Sequence, residues 1–183
     1  MMRVLHTLAG SCLILAALSL APAQEIPGKK TPSVTMSPAP VFPITRGKPN
    51  VADLHFRVAS GFHINSNKPK SEFLIPTVLK LNAPTDIVIG RVTYPVGAEM
   101  SFPFAPDEKL SVYSGPFALK VVVRPLASVL PGKYLLRGQL KYQACDNAAC
   151  YPPKQLPVEF EVRVTKAPRP PRRNPGQSPH VHN

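Results

Sequence analysis

The chain has 183 residues with 22 Lys and Arg against 10 Asp and Glu, a net charge of +12, 24 prolines, three cysteines and no tryptophan. That length accommodates one domain of ordinary size plus flanking segments. The basicity suggests nucleic acid at first sight, but no recognition motif accompanies it and a secretory leader argues against that class.

The leader is Met1-Met2-Arg3, an apolar run from Val4 to Leu20, and a small-x-small cleavage site ending at Ala23. This order predicts a signal peptide over residues 1–23 and a periplasmic or secreted mature protein. Its removal takes away Cys12, where a lipid anchor would otherwise have to attach, and leaves an even pair, Cys145 and Cys150. No second apolar segment is long enough to cross a bilayer, so the mature chain is expected to be soluble.

Prolines crowd two flanks, residues 24–50 and 166–183, which read as a Pro-rich linker and a disordered basic tail. The remaining 51–165 carries 13 Lys and Arg against 9 Asp and Glu. Most of the excess charge therefore lies in the flanks, where it suits loose contact with anionic surfaces or plain solubility.

Residues 51–58 alternate strictly, with Ala52, Leu54, Phe56 and Val58 on one face and Asp53, His55 and Arg57 on the other. This is the pattern of a half-buried strand and sends His55 to solvent. Ser60-Gly61 ends it, and Phe62 to Asn67 follows as a short extended piece. Residues 77–81 and 86–92 read as strands about a turn at Asn82-Ala83-Pro84-Thr85. Residues 94–106 read as an irregular loop carrying Phe102 and Phe104, either covering something or plugging the edge of the core. Residues 110–113 and 117–124 are joined by Ser114-Gly115-Pro116. The last two strands, 133–142 and 156–164, flank Cys145-Asp146-Asn147-Ala148-Ala149-Cys150 and place the cysteines at a hairpin tip. Seven or eight short strands without a helical period predict an all-β, immunoglobulin-like antiparallel sandwich.

Cysteines flanking a four-residue tip lie within disulfide reach. Closing a ring of about six residues stabilises the fold by only about 2 kcal/mol, so the bond can open without unfolding the domain. Lys141 and Lys154 would favour a thiolate and Asp146 would oppose it. Spacing alone leaves three readings open. The pair is a structural staple, a redox couple, or, with His63, two thiolates and an imidazole suited to zinc or copper(I). His180 and His182 in the tail form a further His-x-His with no clear purpose. No C-x-x-C or haem-attachment signature is present.

Tyr142-Gln143-Ala144-Cys145, Cys150-Tyr151-Pro152-Pro153, Gly61-Phe62-His63-Ile64-Asn65-Ser66-Asn67 and the Val112-Tyr113-Ser114-Gly115 step together resemble the N-terminal periplasmic domain of the thiol:disulfide interchange protein DsbD. The resemblance spans about residues 40 to 165. It implies an immunoglobulin-like domain whose cysteine pair relays electrons, without a cofactor, between thioredoxin-like or membrane redox proteins and periplasmic disulfide proteins. It assigns the pair to Cys145 and Cys150, with Cys145 attacking and Cys150 resolving. Tyr151 belongs to the motif, and a phenylalanine that shields the cysteines in the family falls at Phe102 or Phe104. Two features depart from the pattern. The loop between the cysteines is shorter than in the best-known members, and His63 and Asn65 stand where those members have tyrosines. His63 there would tune a sulfur or move a proton, or serve only as a satisfied loop histidine. A chain read as a detached module takes its electrons from a separate protein. The competing expectation is a non-catalytic binding domain with a fixed hairpin disulfide.

Overall fold

The computed structural model describes residue 31 and residues 33–167. The expected leader, Cys12, nearly all of the basic tail and the His180/His182 pair lie outside the described residues.

Twelve strands make up the described chain: β1 (Val34–Met36), β2 (Phe42–Thr45), β3 (Asn50–Val58), β4 (His63–Asn65), β5 (Val78–Asn82), β6 (Ile87–Thr93), β7 (Ala98–Phe102), β8 (Ala105–Tyr113), β9 (Pro116–Pro125), β10 (Gly132–Tyr142), β11 (Ala144–Cys145) and β12 (Lys154–Thr165). They form three four-stranded sheets, ordered β1-β3-β9-β6, β2-β12-β10-β5 and β11-β4-β8-β7. The first two face each other as an immunoglobulin-like sandwich, and the third closes one end.

Alternation in the sequence builds the sandwich directly. Ala52, Leu54, Phe56 and Val58 of β3 and Phe117, Leu119, Val121 and Val123 of β9 line the inner face of the first sheet. Leu136 and Leu140 of β10 and Val158, Phe160, Val162 and Val164 of β12 answer from the second. Each large apolar side chain so buried contributes about 1.5–3 kcal/mol. Their charged neighbours pair on the outer faces, as Lys120 does with Asp53 and Arg137 with Glu159. His55 is exposed, as its parity requires.

Two stretches differ from expectation. Residues 24–50 include β1 and β2, which extend the domain to the N-terminal side of residue 51. β1 pairs antiparallel with β3, and β2 runs parallel to β12. Both occupy sheet edges, where a proline such as Pro43 leaves no central ladder bond unmade. Val34 and Ile44 are buried, and Phe42 meets Phe160 edge-on at 5.8 Å between centroids. Enough apolar surface is covered here to hold a segment whose composition alone suggests a linker.

The second difference is residues 94–106, expected to be irregular. Most of this stretch belongs to the hairpin β7–β8, whose register shifts next to Phe102. One face of the hairpin carries Phe102, Leu110 and Val112, which with Leu74 form a small apolar cluster of their own, while Tyr113, of opposite parity, packs into the sandwich core. The third sheet thereby gains a local core and stands as a platform at one end of the sandwich.

Candidate functional site

The chain leaves β10 at Tyr142, crosses at Gln143 and enters β11. There Ala144 pairs with Ile64, and Cys145 with His63. β4 in turn pairs with β8 through Ile64 opposite Tyr113 and Asn65 opposite Val112. The third sheet thus brings residues from four separate parts of the sequence to the cysteines.

Cys145 and Cys150 are disulfide-bonded, with Cα atoms 3.9 Å apart in an isolated antiparallel bridge. The turn between them is held by Asp146. Its Oδ1 accepts hydrogen bonds from the Ala148 and Ala149 amides at 2.8 and 2.9 Å, and its own amide donates to the Ala149 carbonyl at 3.0 Å. Its Oδ2 accepts from the Tyr151 hydroxyl at 2.5 Å. These donors hold the Asp146 carboxyl below the usual range, the tyrosine bond contributing most, and the same bond raises the Tyr151 hydroxyl.

Exposure separates the two cysteines. Cys145 is fully buried and Cys150 half-buried. The family resemblance assigns the attack to Cys145, whereas the more exposed residue of the pair is Cys150, and a sulfur that meets a partner must be reachable.

His63 is 4% exposed. Its ring stacks on Phe102 at 3.9 Å between centroids and 17° between planes, and Phe104 lies nearly parallel at 6.5 Å. Of the two phenylalanines, Phe102 is the buried one and Phe104 reaches the surface. The Nε2 atom of His63 is buried and makes no hydrogen bond. Burial lowers its pKa to about 4, partly opposed by the negative charge of Asp146, so the ring is neutral at physiological pH.

Asn65 is one step removed from the sulfurs. Its Nδ2 donates to the Ile75 carbonyl at 3.0 Å and to Gln143 Oε1 at 3.2 Å, while its Oδ1 is buried without a partner. Gln143 belongs to the motif that carries the family resemblance but was given no role from the sequence, yet it is the hub of the site. Its Oε1 also accepts from the Ile75 amide at 3.3 Å, and its Nε2 donates to the Tyr151 carbonyl at 3.2 Å. One amide side chain therefore ties β4, the segment before β5 and the strand exit after Cys150. Its place in the Tyr142-Gln143-Ala144-Cys145 motif marks the position without revealing these bonds. Tyr151 completes the shell with its ring edge-on to Phe62 at 5.9 Å.

The structure thus gathers Cys145, Cys150, His63, Tyr151, Phe102 and Phe104 at one end of the sandwich, with Asn65 and Gln143 behind them. Among the described residues no group of three or more His, Cys, Asp or Glu side chains is arranged to hold a metal ion.

The family model of the N-terminal part of the thiol:disulfide interchange protein DsbD matches residues 33–161. The chain belongs to this family. Its match begins at β1, in agreement with the sheet pairing of that strand. The chain is similar to the DsbD N-terminal domain of Neisseria meningitidis in its reduced form, at 23% identity, with 61% of this chain and 76% of that one covered and a TM-score of 0.40. A complex between the DsbD N-terminal and PilB N-terminal domains from the same organism matches at 26% identity, covering 61% and 73%, with a TM-score of 0.38. A type I cohesin of Pseudobacteroides cellulosolvens matches at 14% identity over 77% and 96%, with a TM-score of 0.45. No curated protein matches the chain.

Proposed function

We propose that this protein is a thiol:disulfide exchange module of the periplasm, passing electrons through the Cys145–Cys150 pair to or from thioredoxin-like or membrane redox proteins. The observation that carries the reading is where the disulfide closes. It lies beyond the last rung of the eleven-pair ladder between β10 and β12, so opening it leaves that ladder intact. A bond whose loss costs only about 2 kcal/mol is free to cycle.

Cys150, the half-buried cysteine of the pair, is the one a partner reaches. A partner thiolate attacks Cys150 Sγ, the Cys145–Cys150 bond breaks, and Cys145 leaves with the electron pair. The partner's second thiolate then attacks its own sulfur in the mixed disulfide, leaving a partner disulfide and a Cys145/Cys150 dithiol. Onward transfer reverses these roles. The Cys150 thiolate opens the next protein's disulfide, Cys145 attacks Cys150 Sγ, and the acceptor leaves reduced. Phe102 and Phe104 stack over His63, the ladder partner of Cys145, and Asp146 with Tyr151 keeps the turn in one shape while the sulfurs change partners.

The test is the reduction potential of the pair in the mature protein, measured by equilibration in thiol buffers and thiol trapping. A value of roughly −120 to −270 mV is expected of an exchange couple. A value below about −300 mV would mark the bond as a fixed staple of a binding domain and overturn the proposal.

A further inference from the structure

Resolving a mixed disulfide on Cys150 sets a problem that the exposure of the two sulfurs makes acute. Cys145 is sealed from solvent, and a buried thiol resists ionisation because the thiolate loses its hydration. Water and buffer cannot readily take its proton, so the protein has to supply an acceptor beside it.

The β4–β11 ladder supplies one. Cys145 and His63 are direct partners in that antiparallel pair. Such partners project to the same face with Cβ atoms about 4.5–5.5 Å apart. Both side chains are buried, and His63 Nε2 is unsatisfied. An unpartnered nitrogen in the interior is costly and persists where the structure has a use for it. The rings of Phe102 and Phe104 face the imidazole from the β7–β8 hairpin and carry no charge. From the cysteine turn it feels the Asp146 carboxylate, itself bound by Tyr151 and two amides.

We infer that His63 is the base that takes the proton of the Cys145 thiol when Cys145 resolves a mixed disulfide held on Cys150. The proton moves from Cys145 Sγ to His63 Nε2, and the thiolate attacks Cys150 Sγ. The Cys145–Cys150 bond forms as the bond to the partner sulfur breaks, and the partner departs as a thiolate. The imidazolium, favoured in the meantime by Asp146, then releases its proton to solvent. The arrangement is the nucleophile, base and carboxylate of thiol catalysis, with the carboxylate acting through space. Burial keeps the ring neutral over the whole physiological range, and Asp146 partly offsets the loss of basicity that burial brings.

This inference rests on the exchange reading for its biological meaning, but its test does not. The protein is reduced chemically and mixed with 5,5′-dithiobis(2-nitrobenzoate) in a stopped-flow instrument. One equivalent of the coloured thiolate is released as the reagent couples to Cys150, and a second as Cys145 displaces it, whatever the reduction potential proves to be. In the parent protein the second phase is expected to be independent of pH from about 5.5 to 8. In His63→Gln, which keeps a polar side chain and loses the base, the second phase relative to the first is expected to slow by about 100-fold at pH 6. It should then climb nearly tenfold per pH unit toward the range of an unassisted thiol, above about 8.5. A His63→Gln ratio within about threefold of the parent would overturn the inference. So would a tenfold-per-unit rise in the parent's own second phase, a measurement that needs no variant.

Discussion

The sandwich body and the third sheet are built on opposite terms. Between the two large sheets the buried side chains are apolar, drawn from β3, β9, β10 and β12. The buried polar side chains of the described residues are His63, Asn65, Ser66 and Thr77, all at the end where the cysteines lie. Burying a polar group costs free energy unless it is bonded, and Asn65 Oδ1 and His63 Nε2 are not. The body therefore provides stability, and the third sheet uses some of it to hold groups in positions they would not choose alone.

If that division is real, damage to one region should leave the other's signature intact. Leu119→Ala, at a fully buried position of β9, is expected to lower stability by about 2–5 kcal/mol in urea unfolding. The reduction potential of Cys145–Cys150 should stay where it was. A potential that moved with stability would mean the site and the body are one cooperative unit. The converse substitution is milder. Replacing both cysteines with alanine, which buries no hydroxyl at the sealed Cys145 position, should cost about 2 kcal/mol through the lost ring and leave a single cooperative transition, because that ring is small. Loss of folding in that variant would make the disulfide a structural staple.

The same contrast explains what was legible beforehand. The body could be read because its information is local: the period-two pattern of 51–58 or 156–164 states which face is buried before any partner is known. β1 and β2 escaped because their prolines signal a linker, while the evidence against it, Tyr142 Oη accepting from the Val34 amide and Ile44 buried in the strand beside β12, is tertiary. The β7–β8 hairpin escaped because four of the five residues of β7 face solvent and show no alternation. At the site, the cysteines and their motif stood out, and the nominated His63, Tyr151 and phenylalanines do converge. Which sulfur is reachable was not legible, since both cysteines carry the same spacing and differ only in what folds over them. The role of Gln143 was hidden for a similar reason: its three bonds join segments up to 78 residues apart in the sequence.

Acid should distinguish the regions without any mutation. His63 has its folded-state pKa lowered from 6.5 to about 4, so between those values the unfolded chain binds a proton that the folded chain refuses. Stability therefore falls as the pH drops from about 6.5 to 4. The contribution is about 1–2 kcal/mol once partial solvent screening of the ring is allowed for. Urea unfolding of the oxidised protein at pH 7 and pH 4.5 should show this loss, and His63→Gln should not. Asp146 acts in a separate window. Its depressed pKa gives stability that is present above the ordinary carboxyl value of 3.8 and disappears only below it. An equal loss in parent and variant between pH 6.5 and 4 would show that His63 is not the titrating group.

The smallest expected effect is the most local. Asp146→Asn removes a charge but retains a side-chain oxygen able to accept from the Ala148 and Ala149 amides, so the turn should keep its form. The body should not register the change. His63 should, because the Asp146 charge is what partly offsets the effect of burial on its ring. Its titration midpoint, followed by NMR through the imidazole resonances of the oxidised protein, is expected to move below the parent value of about 4. The Tyr151 hydroxyl, raised chiefly by its bond to that carboxylate, should move down toward its ordinary value in the same variant. A tyrosine that responds while the histidine stays fixed would detach Asp146 from His63. The carboxylate would then be a clamp on the turn and have no part in the electrostatics of the sulfur pair.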